Sequence, residues 1–286
     1  MQNIRTDLAL EAHEMSRKNA KETGEIDGVV SEVTRHGNTT VTNVKITNEH
    51  GSQELNKAIG TYITIEASDL KYNRETYRNV CEIIAEEIKK MAGERNKPLT
   101  LIVGLGNRDI TPDALGTRVV SNLIITEHIK NNMQGFQNIN GVCAVAPGVL
   151  GTTGIETLEI IKGIVSRIKP DLIIAADALA AADIRRVNTT IQIADTGIQP
   201  GAGVGNNREG LNEETLGVKV IAIGVPTVID AATISKVEIP EEIAPLMVTT
   251  KDIDAVIDRM AKTVANGINM ALQKDLSLAD IESFMG

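Results

Sequence analysis

Apolar positions fall into three regimes along the chain. Over residues 1–25 they are sparse. Leu8, Ala9, Ala12 and Met15 make a weak helical stripe in a polar, charged segment, as expected of a short piece that docks on a domain or is removed from it. Over residues 26–72 they cluster with β-branched partners at 29–30, 39–44 and 59–65, with turn chemistry at His36-Gly37-Asn38 and Glu49-His50-Gly51. This region predicts strands. A helix follows over residues 74–91, with Val80, Ile83, Ile84 and Ile88 on one face and Gly93 near its end.

From Pro98 the pattern becomes apolar strand, loop, helix, repeated. LTLIVGLG (99–106) is a continuous apolar run, as a strand buried on both faces requires. GVCAVAPG (141–148), DLIIAADAL (171–179), TIQIADTG (190–197) and VKVIAIGVP (218–226) are four more. Helical spacing is read over 113–133, 155–168 and 251–274, the last from Ile253, Val256, Ile257 and Met260. Strands interleaved with helices predict an α/β fold: a doubly wound, mainly parallel sheet with helices on both faces, carrying an N-terminal β-rich elaboration. Ligands of such sheets sit beyond the carboxyl ends of the strands. That rule selects the loops 104–117, 147–154, 176–184, 195–206 and 225–230.

Composition narrows the chemistry. At 286 residues the chain is long enough for one large α/β domain with a sizeable core. Aromatic residues are only 2%, with no Trp, so the core is aliphatic and base stacking on exposed rings is disfavoured. The net charge of −9 gives no counterion-release gain on nucleic acid and leaves a basic or peptide partner open. Cys81 and Cys143 occur in unlike contexts and read as buried, reduced thiols. With no apolar core in the N-terminal segment and no run near ~20 apolar residues, the expectation is a soluble, intracellular protein.

The first selected loop, Gly104-Leu105-Gly106-Asn107-Arg108-Asp109, resembles a dinucleotide fingerprint, but Asp109 stands where the third glycine belongs. A carboxylate there would repel a pyrophosphate, and no phosphate-binding G-x-x-x-x-G-K-[ST] occurs, so no nucleotide cofactor is expected. Thr111-Pro112-Asp113 opens a helix, where Asp113 also suits the helix dipole. Asp177 ends the apolar run of its strand, where an ionised carboxylate is unfavourable unless paired or functional. Two strand ends of one sheet can bring Asp113 and Asp177 together. Paired carboxylates share a proton and divide into a base and an acid, enough to activate water and protonate a leaving amine.

Asp183 and Asp195 compete for the second position; Asp195-Thr196-Gly197 is read as a loop or supporting acid. The stretch 197–206 carries Gly197, Gly201, Gly203 and Gly205, whose free amides suit an extended peptide, an oxyanion or a phosphate. A flexible loop is the alternative. Of His13, His36, His50 and His128, only His128 lies in the α/β region, in a helix body. A histidine-dependent triad is therefore disfavoured, and no zinc signature is present.

Long segments carry a family resemblance: RTDLALEA (5–12), LIVGLGNRDITPDALG (101–116), DLIIAADALAAADIRRVNTTIQIADTGIQPGAGVGNNR (171–208) and VIAIGVPTVIDA (220–231). Together they resemble the germination proteases of spore-forming bacteria. The resemblance implies an endopeptidase of small acid-soluble spore proteins in the spore core. It also implies a homotetramer made as a zymogen that removes its own prosegment. The acids held to be catalytic in that family fall on Asp113 and Asp177. Thr6-Asp7-Leu8-Ala9-Leu10-Glu11 resembles the substrate cleavage sequence, an acid before an apolar residue with a second acid further on. By that likeness the cut lies between Asp7 and Leu8, leaving 1–7 as prosegment and 8–286 as the protease domain. The sheet is also similar to that of hydrogenase maturation proteases, whose corresponding acids bind a metal with a histidine. No histidine lies in the matching loop, residues 195–201. Metal-free carboxylate catalysis, a metal-assisted peptidase using the same acids, and a binding module built on the Gly-rich loop are the readings carried forward.

Overall fold

A computed structural model describes residues 6–19, 26–96, 98–132, 139–201, 208–234 and 246–285. The strands are β1 (Val29–His36), β2 (Thr39–Ile46), β3 (Gly60–Glu66), β4 (Leu99–Gly104), β5 (Gly141–Val145), β6 (Leu172–Ala181), β7 (Thr190–Ala194), β8 (Val220–Asp230) and β9 (Met247–Val248). They form one nine-stranded sheet in the order β1-β2-β3-β7-β8-β6-β4-β5, with β9 on β8. Four strands, β5-β4-β6-β8, are parallel. The chain winds outward in both directions from β4, as in a doubly wound fold. The N-terminal meander β1-β2-β3 is antiparallel and joins the same sheet through β7.

The α/β architecture is as the apolar pattern predicts, with one difference of direction. β7 runs antiparallel to both β3 and β8. Its apolar sequence requires burial on both faces, which either direction satisfies.

Alternation along β6 sorts the two faces. Leu172, Ile174 and Ala176 pack with Val80, Ile84 and Ile88 of the helix Arg74–Ala92 and with Ile257, Val264 and Ile268 of the helix Ile253–Leu272. Ile173 and Ala175 face the other way, onto Leu158 and Ile161 of the helix Thr157–Ile168. The N-terminal helix Ala9–Asn19 covers a further part of that second face, through Ala9 packed with Val44, Ile46 and Tyr62.

Two local expectations are corrected. Glu49-His50-Gly51 is the first turn of a helix, Glu49–Leu55, because the Asn48 side chain accepts the Gly51 N–H and caps it. The helix expected over 113–133 is broken into Thr111–Asp113, Leu115–Ser121 and Glu127–Asn132. Asn269 holds the break open: its side chain accepts the Ile124 N–H at 3.0 Å and donates to the Asn122 carbonyl at 3.1 Å. No helix among the described residues is long and apolar enough to cross a membrane.

Candidate active site

The chain leaves β4 at the point where the winding of the sheet reverses, between β4 and β6. There the Leu105 N–H donates to the Ala176 carbonyl at 2.8 Å, pinning the loop to the neighbouring strand. The loop then doubles back on itself. Gly106 has φ +96°, and a Cβ there would lie 1.9 Å from the Asp113 carbonyl oxygen, so only glycine permits this close approach. The fold-back lets the Asn107 N–H donate to Asp113 Oδ2 at 2.6 Å. Thr227 of β8 donates to the Pro112 carbonyl at 2.7 Å and fixes the short helix that carries Asp113.

Asp177 lies on β6 itself. It is 5% exposed and continues the face of Ile173 and Ala175. Its Oδ1 accepts the Ala178 N–H at 2.9 Å. Burial pushes its carboxyl well above the usual carboxylate range and the charge of Asp113 adds to this; the Ala178 amide opposes, and Asp7 raises it further. Half-buried Asp113 is also raised by burial, against the pull of the Asn107 amide. Both acids line one cavity of about 940 Å³, together with Asp7, Lys57 and Gln192. The two carboxylates expected from the sequence thus line one cavity, where the charge of Asp113 acts on Asp177.

The floor beside the pair is a row across the sheet. Asp177 on β6 is in register with Gly224 on β8, and Gly224 is in register with Gln192 on β7. Leu179 lies over Gly224, where a Cβ would come within 2.6 Å of it.

The N-terminal segment forms part of the wall of this cleft, through Asp7. The Asp7 N–H donates to the Ala180 carbonyl at 3.0 Å, and the Ala180 N–H returns a bond to Asp7 Oδ2 at 2.8 Å. Gln192 donates to the Asp7 carbonyl at 3.1 Å and accepts the Ala9 N–H at 2.7 Å. Lys57 Nζ donates to the Thr6 carbonyl at 3.1 Å. Leu8 is fully buried among Leu179, Ala181, Val187 and Ile229. Glu11 accepts the N–H groups of Ala182 and Asp183 at 2.6 and 2.9 Å, and Arg186 stands 3.6 Å away. Burial raises the Asp7 carboxyl, although Lys57 and the Ala180 amide oppose this. Burial also depresses Lys57, with Asp7 and Glu11 opposing.

Other expected residues have plainer roles. Asp195 lies outside the cavity lining and accepts the Thr61 N–H at 2.7 Å, tying β7 to β3. Asp183 caps the short helix Ile184–Arg186, and its hydrogen bonds from Arg185 hold its carboxyl down to about 2. Gly201 lines the cleft with φ +74°; Gly203 and Gly205 lie outside the described residues. No histidine is among the described residues lining the cleft. Among the described residues no group of three or more His, Cys, Asp and Glu side chains is placed to hold a metal ion. Both cysteines are free, Cys81 buried and Cys143 half-buried, and burial pushes their thiols up to about 12 and about 11, away from thiolate chemistry.

Lys57, Gln192 and Arg186 carry no motif. Only the pairing of distant segments reveals them.

The chain is similar to known proteins along most of its length. A family model described as germination protease matches residues 9–240. The germination protease of Clostridium tetani is 42% identical over 99% of both chains. That of Caldanaerobacter subterraneus subsp. tengcongensis is 41% identical over 99% of this chain and 98% of its own. That of Bacillus subtilis is 39% identical over 96% of this chain and 94% of its own. Among solved structures, a nickel–iron hydrogenase maturation protease from Thermococcus kodakarensis matches 65% of this chain and 98% of its own at 18% identity, with a TM-score of 0.35.

Proposed function

The chain belongs to the germination protease family, and from that premise we propose that Asp113 and Asp177 hydrolyse peptide bonds of small acid-soluble spore proteins. We propose further that the same pair cuts the chain's own Asp7–Leu8 bond, releasing residues 1–7 and activating a zymogen. As a family member the chain is a peptidase acting in spore germination; the carboxylate mechanism, the substrate and the self-processing are the proposal.

One observation carries it: Asp7 lines the same cavity as the two acids and is bonded to Ala180, three residues beyond Asp177. The electrostatics support a division of roles. Asp177, the more strongly raised carboxyl, holds the shared proton. Asp113, half-buried and bonded by the Asn107 amide, is ionised. Asp113 takes a proton from water as the water oxygen bonds to the Asp7 carbonyl carbon. Asp177 gives its proton to the Leu8 nitrogen as the C–N bond breaks, leaving a new carboxyl at Asp7 and an amine at Leu8.

The same contacts supply a reading of specificity. An acid before the cut meets the Ala180 amide and the charge of Lys57. A second acid meets the amides of Ala182 and Asp183, backed by Arg186. The implied homotetramer is part of the proposal; β1, exposed at every residue but Val29, leaves an uncovered edge for another copy.

Asp113→Asn and Asp177→Asn are the test. Each is expected to fold and to lose both self-cleavage and cleavage of a spore protein, read by mass spectrometry and gel, while a strong chelator leaves the wild-type rate unchanged. Wild-type cleavage by either variant would end the carboxylate assignment.

A further inference from the structure

We propose that Gln192 is a catalytic residue that grips the peptide bond to be cut and polarises its carbonyl. The inference rests on the reading above that the Asp7–Leu8 bond is the one hydrolysed.

Two hydrogen bonds place the Gln192 amide across that bond. Nε2 donates to the Asp7 carbonyl oxygen at 3.1 Å, and Oε1 accepts the Ala9 N–H at 2.7 Å. The second bond fixes the orientation of the first. A backbone N–H only donates, so the group facing Ala9 is the amide oxygen, and the amide nitrogen must face the Asp7 carbonyl. Gln192 therefore holds the carbonyl on one side of Leu8 and the N–H on the other.

The sheet sets Gln192 opposite the acids. It shares the row Gln192, Gly224, Asp177 across β7, β8 and β6. Strands about 4.8 Å apart place the ends of this row about 10 Å apart. Residues in register point to the same face, and Ile191 and Ile193, its neighbours on β7, pack into the opposite core. The residue between them, Gly224, has no side chain, and the Leu179 side chain lies over it in that space. The peptide packs Leu8 on Leu179 and is thus held between β6, through Ala180 three residues beyond Asp177, and the fixed N–H donor of Gln192 on β7.

That arrangement suits the charge that develops. When water adds to the Asp7 carbonyl carbon, the carbonyl oxygen becomes an oxyanion, and a preorganised donor already aimed at it stabilises the transition state more than the ground state. Gln192 is 8% exposed, so little water competes for the bond. Ionised Asp113 only accepts, and the single proton of Asp177 goes to the Leu8 nitrogen, so neither acid supplies this bond.

The experiment compares wild type, Gln192→Glu and Gln192→Met in full-length protein, after circular dichroism and thermal melts confirm folding. Gln192→Glu keeps an acceptor for the Ala9 N–H and loses the donor; Gln192→Met, of similar volume, loses both. Self-cleavage is followed as a first-order rate with the cut bond identified by mass spectrometry. Cleavage of the peptide Thr-Asp-Leu-Ala-Leu-Glu supplies kcat and KM. Both variants are expected to lose about 10²–10³-fold in kcat; in Gln192→Glu, KM should change little. A second comparison keeps the test decisive if a variant does not fold. In the same peptide, N-methylation of the alanine removes only the N–H that Gln192 accepts. It should slow cleavage by wild type about tenfold, the worth of one hydrogen bond, and in Gln192→Met the penalty should vanish.

Wild-type kcat in a folded Gln192→Glu, or no effect of N-methylation on wild type, overturns the proposal. If that happens while Asp113→Asn and Asp177→Asn are inert, Gln192 alone is misassigned. If the aspartate variants still cleave, or the cut falls at another bond, the underlying reading has failed instead.

Discussion

A carboxyl buried within a strand is penalised whenever it ionises, and Asp177 carries that penalty from burial and again from Asp113. The direction of its effect on stability follows from linkage. Its carboxyl is raised in the folded protein, so the native state binds the proton more tightly than the unfolded chain does. The contribution of this group to stability is therefore greatest near and below the ordinary carboxylate range, and is lost as pH rises through the raised folded value. Each unit of such a shift corresponds to about 1.4 kcal/mol. Asparagine at this position keeps an oxygen for the Ala178 N–H and carries no charge. We expect Asp177→Asn, inert as an enzyme, to be more stable than wild type at pH 7 by about 1 kcal/mol or more. The gap should close as pH falls toward 4, where the unfolded chain binds the proton as well. Thermal melts at several pH values check this; a variant less stable than wild type at pH 7 would mean that the charge is compensated in the fold.

Arg186 joins three elements that are far apart in sequence. Its guanidinium makes paired bonds of 2.7 Å to both oxygens of Glu14 on the N-terminal helix and one of 2.8 Å to Glu66 at the end of β3. Burial works against its charge, and the bonds from Glu14 and Glu66 outweigh it, holding its pKa above the ordinary arginine value. Removing such a buried partner strands the acids around it, which costs about 3–5 kcal/mol. Arg186→Met should lower stability by about that amount in urea unfolding and expose residues 9–19 to added protease. Arg186→Lys should restore less than half, since an ammonium lacks the planar fork that Glu14 engages. None of this is visible in the sequence around Ile184-Arg185-Arg186, because the partners lie on β3 and on a helix some 170 residues away. The same limit explains the other differences. Apolar runs such as LTLIVG and DLIIAADAL marked the parallel strands and singled out Asp113 and Asp177, although β6 continues past Asp177 to Ala181 and Asp113 lies on the short helix Thr111–Asp113 beyond β4. The run TIQIA fixed burial but not direction, so β7 could be recognised as a strand and not as antiparallel. Gln192 sits at a polar position inside that run, a sign that something polar is bonded there, but its partner is Asp7. Asn269 breaks the helix expected over 113–133 from the far end of the chain. Local pattern gives elements and their ends; pairing across the sheet gives the chemistry.

At the scale of the whole molecule, the cleft and the segment proposed to be cut belong to one chain. Leu8 and Ala9 are buried in two separate apolar clusters, Glu11 and Glu14 are bound at the end of β6 and by Arg186, and Asp7 is fixed to Ala180. A segment held this way meets the acids at an effective concentration set by the fold, in the millimolar range or above, and not by the amount of protein in solution. Self-cleavage should then be an intramolecular, first-order process. Its rate constant is expected to stay the same over about a hundredfold dilution, because no encounter between chains is needed. Mixing gives the complementary measurement. A tagged Asp113→Asn chain incubated with wild type presents its own segment in its own inert cleft, where wild type cannot reach it without undocking Leu8 and Glu11. It should be cut at least about ten times more slowly than wild type cuts itself, since the fold holds that segment at high local concentration in the wrong active site. A rate that rises in proportion to protein concentration, or equal cutting of the tagged chain, would move the reaction between molecules and make the docked segment a seat that the chain must leave before it can be cleaved.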